Sequence, residues 1–559
     1  MKSNDANTNT SNAPEVADPS RRRFALGTAA VALGSGLGLS ACGGGHDEDQ
    51  QPFGYGVASG DPLSDRVIIW TRANVNVPTQ VQWEVASDAS FAAVLKSGTA
   101  STDVGRDYTV KVDVTGLQPA TTYFYRFKIN GFPSPTGRTK TLPVGTPQQV
   151  KLGVFSCAAY SLGQFHVYAH AVGRGEIDVA VMLGDYIYES GLSTVEQTAA
   201  ALIGREADPR QECVTLPEYR QRYARYHTDA DLRALRATTP IIAVWDDHEI
   251  VNDTWRDGAG GHDPATEGAF ADRRGSAVKA FHEWLPTREG TDPLVIYRSF
   301  NFGNLLSLHM LDTRVIGRDA PLNRDQFLAG AADAPGRQLL GPTQAAWLDT
   351  QMQASTATWQ VLGNQVLMGR MRIPLSVYDN FTEGAITEFL AALDTPEASR
   401  TDTQKALVAQ PRIGFELTNW DGFGAAREAL YASARAKDKN LVVVSGDSHN
   451  AWASNLKDAS GNAIGVEFGT PSVTSTGLEI AHTNVGRQFL ADSFVRMIPD
   501  LKFAETSHRG YHILTLTPSS ATGEWVFVSS VFDNNFTAFS GPTLRMLPGA
   551  ANRVLVPAA

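Results

Sequence analysis

Val179-Ala180-Val181-Met182-Leu183 leads without a break into Gly184-Asp185-Tyr186-Ile187-Tyr188-Glu189. The first five residues read as a strand buried on both faces, as in a parallel sheet, and Gly184 bounds it. Asp185 and Tyr188 stand three residues apart just past its carboxyl end, where open α/β sheets gather their ligands. The pattern recurs. Ile241-Ile242-Ala243-Val244-Trp245 runs into Asp246-Asp247-His248-Glu249, and Leu441-Val442-Val443-Val444-Ser445 runs into Gly446-Asp447-Ser448-His449. Val150-Lys151-Leu152-Gly153-Val154-Phe155 ends in Ser156-Cys157.

Each ending is ordinary by itself. An aspartate after a strand usually caps a helix or closes a turn. A single histidine is more often a satisfied surface or core residue than a ligand, and a cysteine in such a strand is usually a small buried hydrophobe. Four apolar strands that all end in acid, imidazole, phenol or thiol predict a metal centre instead. Carboxylate and phenolate suit a ferric or other highly charged ion, imidazole suits first-row metals, and thiolate is a soft addition. Aspartate can bridge two metals. A pair about 3.5–4 Å apart clamps the attacking and leaving oxygens of an in-line phosphoryl displacement. Water bound to such a metal yields hydroxide near neutral pH.

The chain has 559 residues, enough for two or three domains. Hydrophobic residues make up 42%, ordinary for a soluble globular protein with a sizeable core. The net charge of −11 is spread without a long acidic run, which speaks for solubility and cation affinity and names no partner. No basic patch with interleaved aromatics marks a nucleic-acid-binding module.

Ser20-Arg21-Arg22-Arg23-Phe24-Ala25-Leu26-Gly27 resembles a twin-arginine export signal. The Gly/Ala-rich run from Ala25 to Ala41 is too short and too weakly apolar for a convincing membrane span. Leu39-Ser40-Ala41-Cys42 resembles a bacterial lipobox, so a lipid anchor at Cys42 is expected, against the plainer reading of an incidental cysteine in a signal peptide. Gly43-Gly44-Gly45 opens a flexible tether. These features imply export by the twin-arginine translocase to a periplasmic or extracellular location. Three cysteines make no disulfide framework. Cys157 is assigned to metal, and Cys213 reads as a free thiol.

Residues 53–145 read as a small β-domain. Arg66 to Arg72 and Val81 to Val85 are β-rich, and Tyr108, Val110, Val112 and Val114 share one strand face. Gly116-Leu117-Gln118-Pro119-Ala120-Thr121-Thr122-Tyr123 leading into Phe124-Tyr125-Arg126-Phe127 resembles the corner of a fibronectin type III-like sandwich, with Tyr123 as the corner tyrosine. From 148 onward apolar strands alternate with helical stretches, the mark of α/β architecture. Leu216 to Arg236 reads as helical, with Tyr219, Tyr223 and Tyr226 as a core-packing stripe. Leu305 to Asp312 and Trp359 to Gln365 read as further core strands. The expected division is a signal over 1–42, a tether over 43–52, a β-sandwich over 53–145, an α/β domain over 148–542 and a tail over 543–559.

Together these stretches resemble a known family, the PhoD-type alkaline phosphatases within the calcineurin-like metallophosphoesterases. The resemblance rests on Gly56-Val57-Ala58-Ser59-Gly60-Asp61-Pro62, Ser156-Cys157, Gly184 to Glu189, Trp245-Asp246-Asp247-His248-Glu249, Leu311-Asp312-Thr313-Arg314, Asn419-Trp420-Asp421-Gly422-Phe423 and Gly446-Asp447-Ser448-His449, in the family's order. It implies a β-sandwich followed by a four-layer α/β/β/α metallophosphoesterase domain. It also implies ferric iron and calcium, with Cys157, Asp185, Tyr188 and His449 around iron. Asp185 bridges to calcium in that scheme, and Asp247 and Asp447 help to bind it. Asn252 is a further candidate for the metal or substrate shell. His248 would contact the phosphate or protonate the leaving group. Arg314 is a candidate phosphate contact or, equally, a structural salt bridge. The separate Val-x-x-His metal motif of purple acid phosphatases has no clear counterpart, which fits an oxygen-loving ion such as calcium.

The function expected is an exported phosphate-ester hydrolase in which metal-bound hydroxide attacks phosphorus in line. The alternative on the same residues is a phosphodiesterase, including phospholipase D-like cleavage. A calcium-dependent surface-binding protein is the alternative of another class, and intact metal-type residues at every motif argue against it. An NTPase lacks its Gly-x-x-x-x-Gly-Lys-Ser/Thr loop, and a serine esterase lacks Gly-x-Ser-x-Gly.

Overall fold

The computed structural model describes residues 52–558. The twin-arginine stretch, the lipobox and all of the tether but Pro52 lie outside the described residues. The runs read at 150–155, 179–183, 241–245 and 441–445 are strands over Val150–Phe155, Val179–Met182, Ile241–Ala243 and Asn440–Ser445. Leu306–Met310 and Trp359–Asn364 are the two further strands expected. These strands are buried almost throughout, so each needs a covering layer on both sides.

Two sheets with helices outside them supply those layers in a mixed α/β architecture. The ten-stranded sheet runs in the order Val556–Pro557, Ala538–Met546, Ser520–Val528, Arg509–Thr517, Val150–Phe155, Val179–Met182, Ile241–Ala243, Val57–Gly60, Arg66–Arg72, Thr109–Thr115. The seven-stranded sheet runs Arg298–Phe302, Leu306–Met310, Trp359–Asn364, Asn440–Ser445, Ala463–Gly469, Ala451–Lys457, Leu501–Glu505. Strands 150–155, 179–182 and 241–243 are mutually parallel, as are 306–310, 359–364, 440–445 and 463–469. One core holds Leu152, Val154, Val181 and Ile242 from the first sheet together with Leu308, Val361, Val444 and Phe468 from the second. Leu348, Met352, Leu430 and Tyr431, from helices Gly341–Ala354 and Gly424–Ala436, pack with Leu362, Leu441 and Val443 of the seven-stranded sheet.

The β-rich start is divided between sheets. Val94–Thr102, Thr79–Ala86, Thr122–Ile129, Phe132–Pro133 and Gly137–Lys140 make a separate five-stranded sheet. Val57, Ile69, Val110, Val114, Val81, Val85 and Phe127 form the core shared by that sheet and the three first-sheet strands of the same region. The Tyr123 hydroxyl accepts the Gln118 N–H at 2.8 Å. Val57–Gly60 also pairs with Ile241, so the large sheet runs straight through the expected boundary near residue 145. Gly60 permits this, because a Cβ there would lie 2.7 Å from the Ile241 carbonyl and 2.4 Å from that of Pro286.

Two other expectations change. The stretch read as helical over 216–236 is two helices, Leu216–Tyr226 and Ala230–Thr238. Asp229 is extended, and its carboxylate accepts the Leu232 N–H at 2.8 Å, which starts a new helix instead of continuing the old one. The stretch read as a tail from 543 begins inside strand Ala538–Met546 and adds a further strand, Val556–Pro557, to the large sheet. Much of the first of these is exposed on both faces, so it carries no apolar alternation for the sequence to display.

Candidate metal centre

The carboxyl ends of the parallel strands converge. Cys157 follows strand 150–155, Asp185 and Tyr188 follow 179–182, Asp246, Asp247 and His248 follow 241–243, Arg314 follows 306–310, and Asp447 and His449 follow 440–445. Gly184 lets two of these ends touch: its φ is +105°, and a Cβ there would fall 2.4 Å from the Asp246 backbone nitrogen. The Cys157 N–H donates to the Gly184 carbonyl at 3.3 Å, and the Ala158 N–H to that of Asp185 at 2.9 Å.

Three groups of potential ligand atoms lie within 4.8 Å of one another: Cys157, Asp185 and His449; Asp185, Asp247 and His248; Asp246, Asp247 and Asp447. Asp185 belongs to two groups, and Asp247 links the second to the third. The Tyr188 hydroxyl lies 3.0 Å from Asp185 Oδ2 and 3.2 Å from His449 Nε2, so it joins the first group. Cys157, Asp185, Asp447 and His449 adopt φ of +60°, +52°, +59° and +61°. Left-handed backbone costs a non-glycine residue about 1–3 kcal/mol, and such strain collects at functional sites.

The chamber is buried and crowded with acid. Burial pushes the Asp185 and Asp246 carboxyls well above the usual range, and neighbouring carboxylates push them further. Burial and then Asp185 raise the Cys157 thiol and the Tyr188 phenol. Burial acts the same way on Asp247, but the Arg314 guanidinium and the His248 imidazolium outweigh it and hold that carboxyl at about 2. Asp246 Oδ2 and Asp247 Oδ1 are buried with no hydrogen-bond partner among the described residues. Sulfur, imidazole, phenol and two unpartnered carboxylate oxygens brought together make a donor set that fits metal cations.

Not every predicted residue has the expected role. Arg314 is 1% exposed and bonds to Asp246 and, at 2.8 Å, to Asp447 Oδ1, with Asp247 Oδ1 at 3.6 Å. The guanidinium holds Asp246 and Asp447, while its Nη1 has no hydrogen-bond partner among the described residues. Asn252 sits beside the cluster, its amide donating to Asp253 Oδ2 at 3.1 Å and its N–H to Glu189 at 2.9 Å. His248 is in the cluster and also pairs through Nδ1 with Glu189 Oε2 at 2.7 Å. Burial disfavours its charge, but Glu189 and then Asp185 and Asp247 raise the imidazole well above its ordinary value.

Sequence reasoning missed the supports. Glu249 accepts the N–H groups of Asp185, Tyr186 and Asp246 at 3.0, 2.5 and 2.7 Å and so fixes two ligand loops at once. The Tyr226 hydroxyl accepts the Tyr188 N–H at 3.1 Å, and Arg222 donates to the Tyr188 carbonyl. The core stripe thus also positions a candidate ligand. The Thr476 carbonyl meets His449 Nδ1 at 2.7 Å. Glu189 and Glu249 were visible as strand-end acids, but residue type alone does not show that a carboxylate serves backbone amides.

The sequence profile of the PhoD-like phosphatase family matches residues 152–525, and that of the PhoD-like phosphatase N-terminal domain matches residues 39–143. Alkaline phosphatase D of Bacillus subtilis (strain 168) is 33% identical over 528 residues, spanning 89% of this chain and 82% of that protein. The solved structure of PhoD superposes with a TM-score of 0.74 at 30% identity, covering 91% of this chain and 92% of that one. The strand-end acids, the two-sheet frame and these matches agree: the chain belongs to the PhoD-like phosphatase family.

Proposed function

We propose that this phosphoric ester hydrolase is an alkaline phosphatase of PhoD type that works in the buried acid chamber. Ferric iron would be held by Cys157, Asp185, Tyr188 and His449, and calcium by Asp185, Asp247 and Asp447. The observation that carries this reading is Asp185, whose carboxylate belongs both to the sulfur- and imidazole-bearing group and to the Asp247 group. Such cations supply Lewis-acid activation of water and neutralise charge on the phosphoryl oxygens.

The chain's own residues do the rest. Arg314 holds Asp246 and Asp447 in place. Glu189 accepts a hydrogen bond from the Nδ1–H of the His248 imidazolium, which fixes the ring and leaves the Nε2 proton for the departing alkoxide. The Tyr188 ring lies 4.2 Å from the His248 ring between centroids and limits its swing. Asn252 borders the cluster where a phosphate oxygen would enter.

The phosphodiesterase alternative uses the same residues. Turnover of p-nitrophenyl phosphate against bis-p-nitrophenyl phosphate decides between them: a large preference for the monoester supports the alkaline phosphatase reading, and a large preference for the diester overturns it.

The Gln118–Tyr123 hydrogen bond supports a fibronectin type III-like sandwich in the N-terminal region. Helices outside two packed sheets support the four-layer α/β/β/α description. Arg21-Arg22 and Cys42 support twin-arginine export and a lipid anchor. Retention of an Arg21→Lys, Arg22→Lys variant in the cytoplasm, and release of Cys42→Ala from the membrane fraction, are the expected outcomes.

A further inference from the structure

Three candidate ligands arrive from three different strands, yet one tripeptide touches all of them. Thr474-Ser475-Thr476 lies between strand 463–469 and helix Leu478–Ala481. The N–H groups of Thr474 and Ser475 each donate to the Cys157 carbonyl at 3.3 Å. Ser475 Oγ lies 2.9 Å from that carbonyl and 2.7 Å from the Tyr188 hydroxyl oxygen. The Thr476 carbonyl meets His449 Nδ1 at 2.7 Å. Thr474 Oγ1 donates to the Ala159 carbonyl at 2.8 Å, which ties the tripeptide to the chain just past Cys157. Ser475 is fully buried.

A serine hydroxyl has one proton and here two acceptors. The Cys157 carbonyl already receives two backbone N–H groups, so it can spare the hydroxyl. The Tyr188 phenol, while protonated, donates to Asp185 Oδ2 at 3.0 Å. As an ionised ligand it would only accept, and Ser475 Oγ stands within donating distance.

We infer that Ser475 is a positioning residue for the Tyr188 phenolate: its hydroxyl donates to the phenol oxygen when a metal is bound and fixes that oxygen relative to Cys157 and His449. The inference rests on the iron reading above only for its colour. Its energetic content, that Ser475 slows metal loss, holds for any metal bound by Tyr188. Hydrogen bonds to ligands are a known lever on metal affinity, and their removal typically costs about 10–100-fold.

The test uses the full metal-loaded protein and the variants Ser475→Ala, Ser475→Cys and Ser475→Thr. Metal loss to a fixed concentration of chelator is followed by elemental analysis, and the visible spectrum is recorded alongside. Ser475→Ala should release metal about 10–100-fold faster. Its phenolate-to-metal absorption should move to longer wavelength, because an unbonded phenolate gives up charge more easily. Ser475→Cys, a similar volume with a weak donor, should fall between, and Ser475→Thr should restore both properties. Wild-type metal loss and an unmoved band in Ser475→Ala would overturn the inference. If Ser475→Ala does not fold, Ser475→Cys at wild-type values overturns it equally. A colourless wild type that retains metal overturns the iron assignment instead, and the metal-loss rates then decide Ser475 alone.

Discussion

Asp61 and Asp185 each follow a glycine at the end of a strand in the ten-stranded sheet, and each is buried with a positive φ. Their surroundings differ. Asp61 receives Arg298 Nη2 at 2.6 Å and Nε at 2.9 Å, and the Arg288 N–H at 2.6 Å, so its charge is neutralised inside the protein. Asp185 instead has no arginine or lysine on it among the described residues: burial pushes its carboxyl up, the His248 imidazolium opposes this, and Asp247, Glu249 and Asp447 push it further. Arg314 is spent on Asp246 and Asp447. The same dipeptide is therefore a structural clamp in one place and the proposed cation ligand in the other, and the count of nearby positive charge separates them.

Replacing each aspartate breaks a different thing. Asp185→Asn should lose metal from both proposed positions and bring phosphate-ester turnover to background, with the fold intact by circular dichroism. Wild-type metal content in that variant would sink the shared-ligand role. His248→Asn should keep its metal and lose about 10²–10⁴-fold in turnover, less for esters with good leaving groups. An equal loss across leaving groups would contradict proton donation by His248. Asp61→Ala should keep activity per folded molecule but cost about 3–5 kcal/mol of stability, because Arg298 is left partly buried and unpaired. Denaturant unfolding measures it; a change below 1 kcal/mol would mean that Asp61 is not the clamp described.

The smallest effect concerns pH. Asp185 and Asp246 have raised pKa values in the folded chain, so the metal-free fold binds more protons than the unfolded chain does. Its stability should therefore fall as pH rises from about 4, the unfolded carboxylate value. Asp247, held at about 2, works the other way, and its contribution is complete above the same pH. Bound cations should flatten the decline. Thermal melts of chelated and metal-loaded protein across pH 4 to 8 compare the two, and parallel curves would contradict a cation-seeking cluster.

Much of this was legible in the chain. Period and composition located the core strands, and chemically loaded strand ends located the centre. Burial on both faces makes such strands conspicuous, whereas the largely exposed strand at 538–546 carried no comparable signal, and its end from 543 read as the start of a tail. The break at Asp229 hid inside a convincing helical stripe. Arg314 remained two-sided because an arginine near acids binds substrate, its neighbours or both, and its ion pairs to Asp246 and Asp447 appear only in the fold. Ser475 and Thr476 were illegible. Their importance lies in a hydroxyl and a carbonyl placed against ligands from distant strands, and no spacing in the sequence records that.

The proposed calcium site is built of carboxylate oxygens from Asp185, Asp247 and Asp447. The direct measurement is p-nitrophenyl phosphate turnover, with elemental analysis, before and after dialysis against a calcium-selective chelator. Activity should disappear with calcium while iron stays, and should return on adding calcium but not magnesium, which demands a smaller and more regular oxygen shell. Full activity in protein verified to contain no calcium would contradict the account.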